Sequence, residues 1–457
     1  MTPVILTYVI LETQLVHISA NTANTYIGRV HIDDYKSCRV EAIIRISIFP
    51  VSLRFYLHRK GDEDMENYNI PEIARNIFWV GAKDWDRRMF DALVPLPQGT
   101  SYNAYLVKGE EKTALIDTVN PGFEEEFEQK INLVSDLKKL DYLIMNHAEP
   151  DHSSAIRYIM DRAPNSILVT TERGVKLASI YHDLPEGRIK VVADGDSLDL
   201  GGKTLRFIEA PWLHWPETMF TYLPEEKILF PCDFFGAHTA HGVYDEDLED
   251  LIPMAKRYYG EIMMPFGKMG AKALEKIKDL DIEIIAPSHG PIYKNPERIL
   301  EPYAKWTAGE TENKALIVYV SMWGSTKEMV NTIAETLLKE GVDVRMYDLA
   351  VSDIGEVARE LVDSRAIVLG APTVLAGMHP LALYGTYLIK ALKPPAKYGV
   401  VLGSFGWGGG ALRQAGDILT PSNMEIVGTL QVKGRAKDED LKKIEEIGRQ
   451  LAQKMKD

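Results

Sequence analysis

Cysteine is nearly absent, with only Cys38 and Cys232 in 457 residues. That count excludes a disulfide framework and points to a reducing compartment, the cytoplasm, with Cys232 read as a small buried thiol. Long apolar runs are missing too. None reaches the ~18 residues of a membrane-spanning helix, so no membrane segment is expected. Positive charge is in short supply: 52 Lys and Arg stand against 66 Asp and Glu, for a formal net charge of −14. Nothing resembles the dense basic face of a nucleic-acid binder. Internal repeats and low-complexity tracts are absent as well. What remains is ordinary globular material, 46% hydrophobic and 26% charged, and long enough for two or more domains.

One stretch stands out. His147-Ala148-Glu149-Pro150-Asp151-His152 packs four potential metal ligands into six residues, directly after the strand-like run 142–145. A lone histidine is more often structural than ligating. Four such side chains crowded together without a cation would suffer desolvation and repulsion. Three more candidates, His214, Asp233 and His289, each follow a strand-like run of their own. Four histidines and three carboxylates are too many for one tetrahedral ion and suit two ions sharing a bridge. Asp233 is the candidate bridge. Imidazole and carboxylate with no thiolate required favour iron or manganese over structural zinc. His238 and His241 read as outer or surface residues. His182 and His379 have no metal-like context, although His379 sits in a possible flavin loop.

Residues 1–64 fit no pattern. The apolar run 4–11 lacks the basic flank of a signal peptide, and the functional protein is expected to start near Met65, with the leader an accessory extension or start-site artefact. Residues 65–310 read as mixed hairpins and helices. A hairpin of 102–107 and 113–116 turns at 109–112, a helix covers 124–140, and strands follow at 167–170, 189–192, 204–208, 219–223 and 228–230. Two packed sheets covered by helices result. Residues 306–314 form a polar linker.

From 314 to 457 the rhythm becomes strict β-α alternation, a doubly wound parallel sheet. Its strands are 315–320, 342–347, 366–369, 398–402 and 426–430, with helices at 327–340 and 438–455. Three loops fall at the carboxyl ends of its strands. Ser321, Met322, Trp323, Gly324, Ser325 and Thr326 open a helix and suit a single phosphate. Ala371, Pro372 and Thr373 form a second loop. Ser404, Phe405, Gly406, Trp407, Gly408 and Gly409 let backbone approach a planar ring, with Trp407 free to stack.

With these residues in view, the chain from Asn69 onward resembles the flavodiiron proteins, also called A-type flavoproteins. The resemblance rests on Asp84-Trp85-Asp86-Arg87-Arg88-Met89-Phe90-Asp91, Gly99-Thr100-Ser101-Tyr102-Asn103-Ala104-Tyr105-Leu106, the His-x-Glu-x-Asp-His loop, Leu213-His214-Trp215-Pro216, and the 321–326 loop. It implies an α/β two-domain protein: a metallo-β-lactamase-like αββα sandwich holding two non-haem irons, then a flavodoxin-like doubly wound parallel sheet holding FMN. By the family pattern His147, Glu149 and His214 bind one iron, Asp151, His152 and His289 the other, and Asp233 lies between. Glu149 stands where hydrolytic members of the wider fold carry a second histidine.

The implied activity is reduction of O2 to water, of NO to N2O, or both. The resemblance further implies a homodimer, head to tail, or a dimer of such dimers, in which one subunit's FMN lies near its partner's irons. No rubredoxin or flavin-reductase module follows Asp457, so electrons are expected from an external donor: rubredoxin, a reduced deazaflavin or a dedicated reductase. Two other readings remain. Glu149 argues against a zinc hydrolase with a fused flavodoxin, and the complete ligand set argues against an electron carrier with a non-catalytic metal domain.

Overall fold

The computed structural model describes residues 68–184, 187–420 and 424–456 and, before them, only the strands Thr7–Leu11, Gln14–Ile18, Tyr26–Ile32, Val40–Ile46 and Phe55–Arg59; the expected start near Met65 lies outside them. The first sheet has seven strands, β1 (Glu72–Ala74), β2 (Ile77–Trp79), β3 (Tyr105–Lys108), β4 (Thr113–Ile116), β5 (Tyr142–Ile144), β6 (Ile167–Thr171) and β7 (Ile189–Val192), in the order β7-β6-β5-β4-β3-β2-β1. Strands β4 to β7 run parallel, whereas β3 pairs antiparallel with both β4 and β2. The β3–β4 hairpin closes where expected, with the Gly109 amide donating to the Lys112 carbonyl at 2.9 Å.

Alternation along these strands sorts side chains into two cores. Leu106, Leu115, Leu143 and Leu168 face helices carrying Phe127, Ile131, Ile159 and Met160. Tyr105, Ile116, Ile144 and Val169 face the second sheet, meeting Phe207, Met219, Ile228 and Phe230. That second sheet runs β8 (Ser197–Asp199), β9 (Thr204–Glu209), β10 (Met219–Leu223), β11 (Ile228–Phe230) and β12 (Ile284–Ile285) in order. Its outer face packs on helices Leu251–Tyr258, Gly267–Ile277 and Glu297–Ala308. The layers are helix, sheet, sheet, helix, as the resemblance implied.

Five further strands are β13 (Glu312–Tyr319), β14 (Asp343–Asp348), β15 (Ser364–Val374), β16 (Tyr398–Phe405) and β17 (Glu425–Lys433). They are ordered β14-β13-β15-β16-β17 and pair in parallel, the flavodoxin-like 2-1-3-4-5 arrangement, with the two-residue strand Gly377–Met378 antiparallel on the end of β15. One apolar core is continuous from Phe220 and Tyr259 of the sandwich to Val318 and Leu369 of this sheet, and residues 69–457 form one compact unit.

Three expectations need correction. The helix expected over 124–140 stops at Val134 and restarts as the single turn Leu137–Lys139. Short polar side chains interrupt it: Asn132 accepts from the Leu137 amide and Asp136 from the Lys138 amide, competing with helical bonds. Trp306, Thr307 and Ala308 are not linker but the end of helix Glu297–Ala308, which Gly309 terminates at φ 72°. The Trp306 ring packs 5.3 Å from Tyr303 and 5.4 Å from Tyr259, a tertiary contact that overrides the polar local sequence. Finally, Ala371, Pro372 and Thr373 are not a loop. They continue β15, whose Ala371 and Pro372 stand in register with Gly403 and Ser404 of β16. The turn comes at Leu375 and Ala376, both at positive φ.

Candidate metal centre and flavin cradle

Each ligand candidate sits just beyond the carboxyl end of a strand. The 147–152 segment follows β5, Asp233 follows β11 and His289 follows β12, while His214 lies in the connection between β9 and β10. Pro150 pre-sets the φ that opens a single helical turn, Pro150–Ser153, which carries Asp151 and His152. All seven side chains converge, and they divide into two trios about one carboxylate. Nε2 of His147 and Nε2 of His214 lie 3.1 and 2.9 Å from Oε2 of Glu149, and each is 3.4 Å from Oδ2 of Asp233. Nε2 of His152 and Nε2 of His289 lie 3.2 and 3.1 Å from Oδ2 of Asp151, and 3.0 and 3.5 Å from Oδ1 of Asp233. Asp233 therefore presents one oxygen to each group.

The chemistry of this cluster fits two cations. Both carboxylate oxygens of Asp151, both ring nitrogens of His152 and Oδ1 of Asp233 are buried without a hydrogen-bond partner. Leaving each unmet would cost about 1–3 kcal/mol, more for a charged group. Burial would depress the His152 and His214 imidazoles, yet the carboxylates around them carry both up to about 9. The same negative field favours a divalent cation in place of those protons.

A surrounding layer orients the candidate ligands. Glu217, not foreseen from the sequence, accepts from Nδ1 of His147 at 2.7 Å and from the Ala148 amide at 2.8 Å. Nδ1 of His289 donates to the Ser101 carbonyl at 2.6 Å. With protons held at Nδ1, both rings turn the Nε2 lone pair toward the carboxylates. The only local signal for Glu217 was its place three residues after His214. His238 bonds Thr100 at 2.9 Å and packs its ring 4.9 Å from His289, outside both trios. His241 rests against Trp85 and His182 bonds Ser153. Cys232 is buried, its sulfur accepting from Ser288 at 3.4 Å, and burial pushes its thiol well up.

The expected flavin residues also gather at one edge. Ser321, Met322, Trp323 and Gly324 lead into helix Ser325–Lys339, with Gly324 at φ 87°. Oγ1 of Thr326 lies 2.9 Å from Oγ of Ser404, tying the first loop to the end of β16. Gln431 of β17, also unforeseen, donates to Thr373 at 3.4 Å and abuts Gly409. A Cβ on Gly406 or Gly408 would meet no atom within 4 Å. Trp323 and Trp407 stand 91% and 74% exposed beside that open space. An anion-accepting helix N-terminus, glycine backbone and bare aromatic faces suit a phosphorylated planar ring.

Comparison with known proteins agrees. Residues 100–290 match the family model of the ODP family beta lactamase, and residues 317–448 match that of flavodoxin. A nitric oxide reductase of Moorella thermoacetica is 39% identical over 396 residues, spanning 84% of this chain and 98% of that protein. The solved rubredoxin oxygen:oxidoreductase of Desulfovibrio gigas superposes with a TM-score of 0.82 at 30% identity, covering 85% of this chain and 99% of that one. The flavodiiron protein of Giardia intestinalis gives 0.80 at 28% identity, covering 85% and 97%. Two domains in this order, with relatives matched along almost their whole length, admit a single reading: the chain belongs to the flavodiiron proteins, oxidoreductases that carry FMN and a non-haem di-iron centre.

Proposed function

We propose that this chain takes electrons from an external donor into FMN and passes them to two irons that reduce O2 to water, NO to N2O, or both. The observation that carries the reading is the splitting of Asp233, one oxygen to the His147–Glu149–His214 group and the other to the Asp151–His152–His289 group. A hydrolytic site would carry a neutral imidazole at position 149. Here a carboxylate hardens the group and suits iron.

When bound, the irons supply gas-binding positions and electrons, and the flavin accepts electron pairs and releases them singly. The protein supplies geometry. Glu217 and the Ser101 carbonyl hold the His147 and His289 tautomers, the helical turn at Pro150 holds Asp151 and His152, and burial excludes bulk water. Residues 321–326, 371–373 and 404–409 cradle the flavin in a domain spanning 314–457, and the metal domain spans 65–310.

The exposed apolar side chains support a head-to-tail homodimer, or a dimer of dimers. Trp323, Leu375 and Trp407 crowd the flavin edge at 91%, 86% and 74% exposure. Trp85 and Met89, beside Phe90 whose ring lies 5.8 Å from His289, are 51% and 46% exposed. Two such patches suit association surfaces, and pairing them across subunits would bring flavin to metal. Among the described residues no helix is long and apolar enough to cross a membrane, and we place the protein in the cytoplasm. Rubredoxin, a reduced deazaflavin and a dedicated reductase are the donor classes to assay.

The test is anaerobic reduction of the flavin followed by separate doses of each gas, with the flavin spectrum and the product recorded. Reoxidation with water or N2O as product supports the proposal. Two zincs per chain and a flavin that neither gas reoxidises would sink it.

A further inference from the structure

A groove of about 910 Å³ lies where the sandwich meets the flavodoxin-like domain. Gly309 before β13, Lys397 before β16 and Met424 before β17 line it. It therefore opens at the amino ends of these strands, the opposite edge of the sheet from the flavin loops. Its volume falls within the ~300–1,000 Å³ range of small-molecule sites. One wall is aromatic: Trp212 lies nearly parallel to Phe266, 17° between planes and 6.5 Å between ring centres.

The charge pattern is one-sided. No lining side chain is acidic and four are lysines, Lys268, Lys390, Lys393 and Lys397, in a chain whose acids outnumber its bases 66 to 52. None of the four forms an ion pair among the described residues. Lys393 ends helix Pro380–Leu392 at φ 51°, a left-handed position that ordinarily takes Gly or Asn. Pro394 and Pro395 follow and restrict the backbone that carries it.

We propose that this groove binds a nucleotide-like anion, a planar ring against Trp212 and Phe266 with a phosphate tail on the lysines. Lysine ammonium groups bind phosphate as point charges, and an indole face accepts a flat heterocycle. The flavin is not this ligand, because its loops lie at the other edge of the sheet. Trp212 is two residues from His214, and its amide donates to the Trp215 carbonyl at 2.7 Å, so ring occupancy abuts the turn that presents His214.

The experiment titrates the FMN- and iron-loaded protein with ATP, adenosine and tripolyphosphate, using calorimetry and tryptophan fluorescence. ATP should bind saturably, with adenosine and tripolyphosphate each weaker by about ten-fold or more. The double variant Lys390→Glu, Lys393→Glu should weaken ATP by a similar factor, with iron content, FMN content and gas reduction in the absence of ATP unchanged. A second pair on other elements, Lys268→Glu with Lys397→Glu, should do the same. No saturable ATP binding, tripolyphosphate binding as tightly as ATP, or wild-type ATP affinity in both charge-reversed variants would overturn the proposal. Each leaves the reductase reading intact, since that is read from the gases.

Discussion

Oε1 of Glu217 sits 2.7 Å from Nδ1 of His147, and both side chains are buried. The same oxygen takes the amide proton of Ala148, so one carboxylate holds both a proposed ligand and the loop that carries it. Glu217→Ala should lower iron affinity about 10–100-fold, measured by competition with a chelator. Glu217→Gln keeps an oxygen acceptor and should fall between. Unchanged affinity in the alanine variant would remove Glu217 from the site's design.

Asp233→Ala takes away the only carboxylate shared by the two trios. The expected result is loss of the paired iron signature in magnetic spectroscopy, together with reduced total iron. A fully loaded, magnetically coupled pair in this variant would show that Asp233 is not the bridge.

Trp407 is 74% exposed, so truncating it should leave folding stability nearly unchanged. Loss of its proposed stacking on the flavin should weaken FMN by about 0.5–1.5 kcal/mol, roughly two- to thirteen-fold in Kd. Equilibrium dialysis of Trp407→Ala beside thermal melts of the FMN-free forms separates the two effects.

Lys314, the third residue of β13, places its ammonium 3.0 Å from Glu360 and against Asp363, which also pairs with Lys256 of the sandwich. All three side chains of the Lys314 cluster are buried, at 3%, 7% and 9% exposure. Removing the cation leaves carboxylates in a low-dielectric contact, so Lys314→Met should cost about 3 kcal/mol or more. A denaturant midpoint equal to wild type would show that Lys256, on Asp363, and Arg359, 3.0 Å from Glu360, satisfy them without Lys314.

Glu261 lies in the same junction, 3.0 Å from Nε of Arg257. Burial pushes its carboxyl up to about 8, since the Arg257 charge that opposes the shift is shared with Asp353 and Glu356. A raised carboxyl binds its proton more tightly in the folded state. Its contribution is full below the unfolded value and declines by about 1.4 kcal/mol per pH unit until the folded value is passed. Relative to Glu261→Gln, the wild type should therefore lose stability between about pH 5 and pH 8 and level off above. A flat difference across that range would place the ionised form in the junction.

Much of this was readable residue by residue. The runs that became β5, β10 and β11 are short and apolar, and burial on both faces demanded that composition. The candidate ligand loop announced itself because four potential metal ligands within one short segment have no comfortable structure without a cation. Trp306 and Ala371–Thr373 were misjudged for one reason: their local polarity and proline suggested loops, whereas packing on Tyr303 and pairing with Gly403 and Ser404 made them helix and strand.

What the chain order determines by itself is the kind of most elements and the set of candidate ligating residues, because both depend largely on neighbours within a few positions. Which oxygen of Asp233 meets which histidine, why Glu217 rather than Glu209 steadies His147, and how Lys268 and the lysines of 390–397 come to line one groove with Trp212 were decided only by tertiary structure. Those relations join residues tens of positions apart, and no local periodicity encodes a distance that packing alone sets.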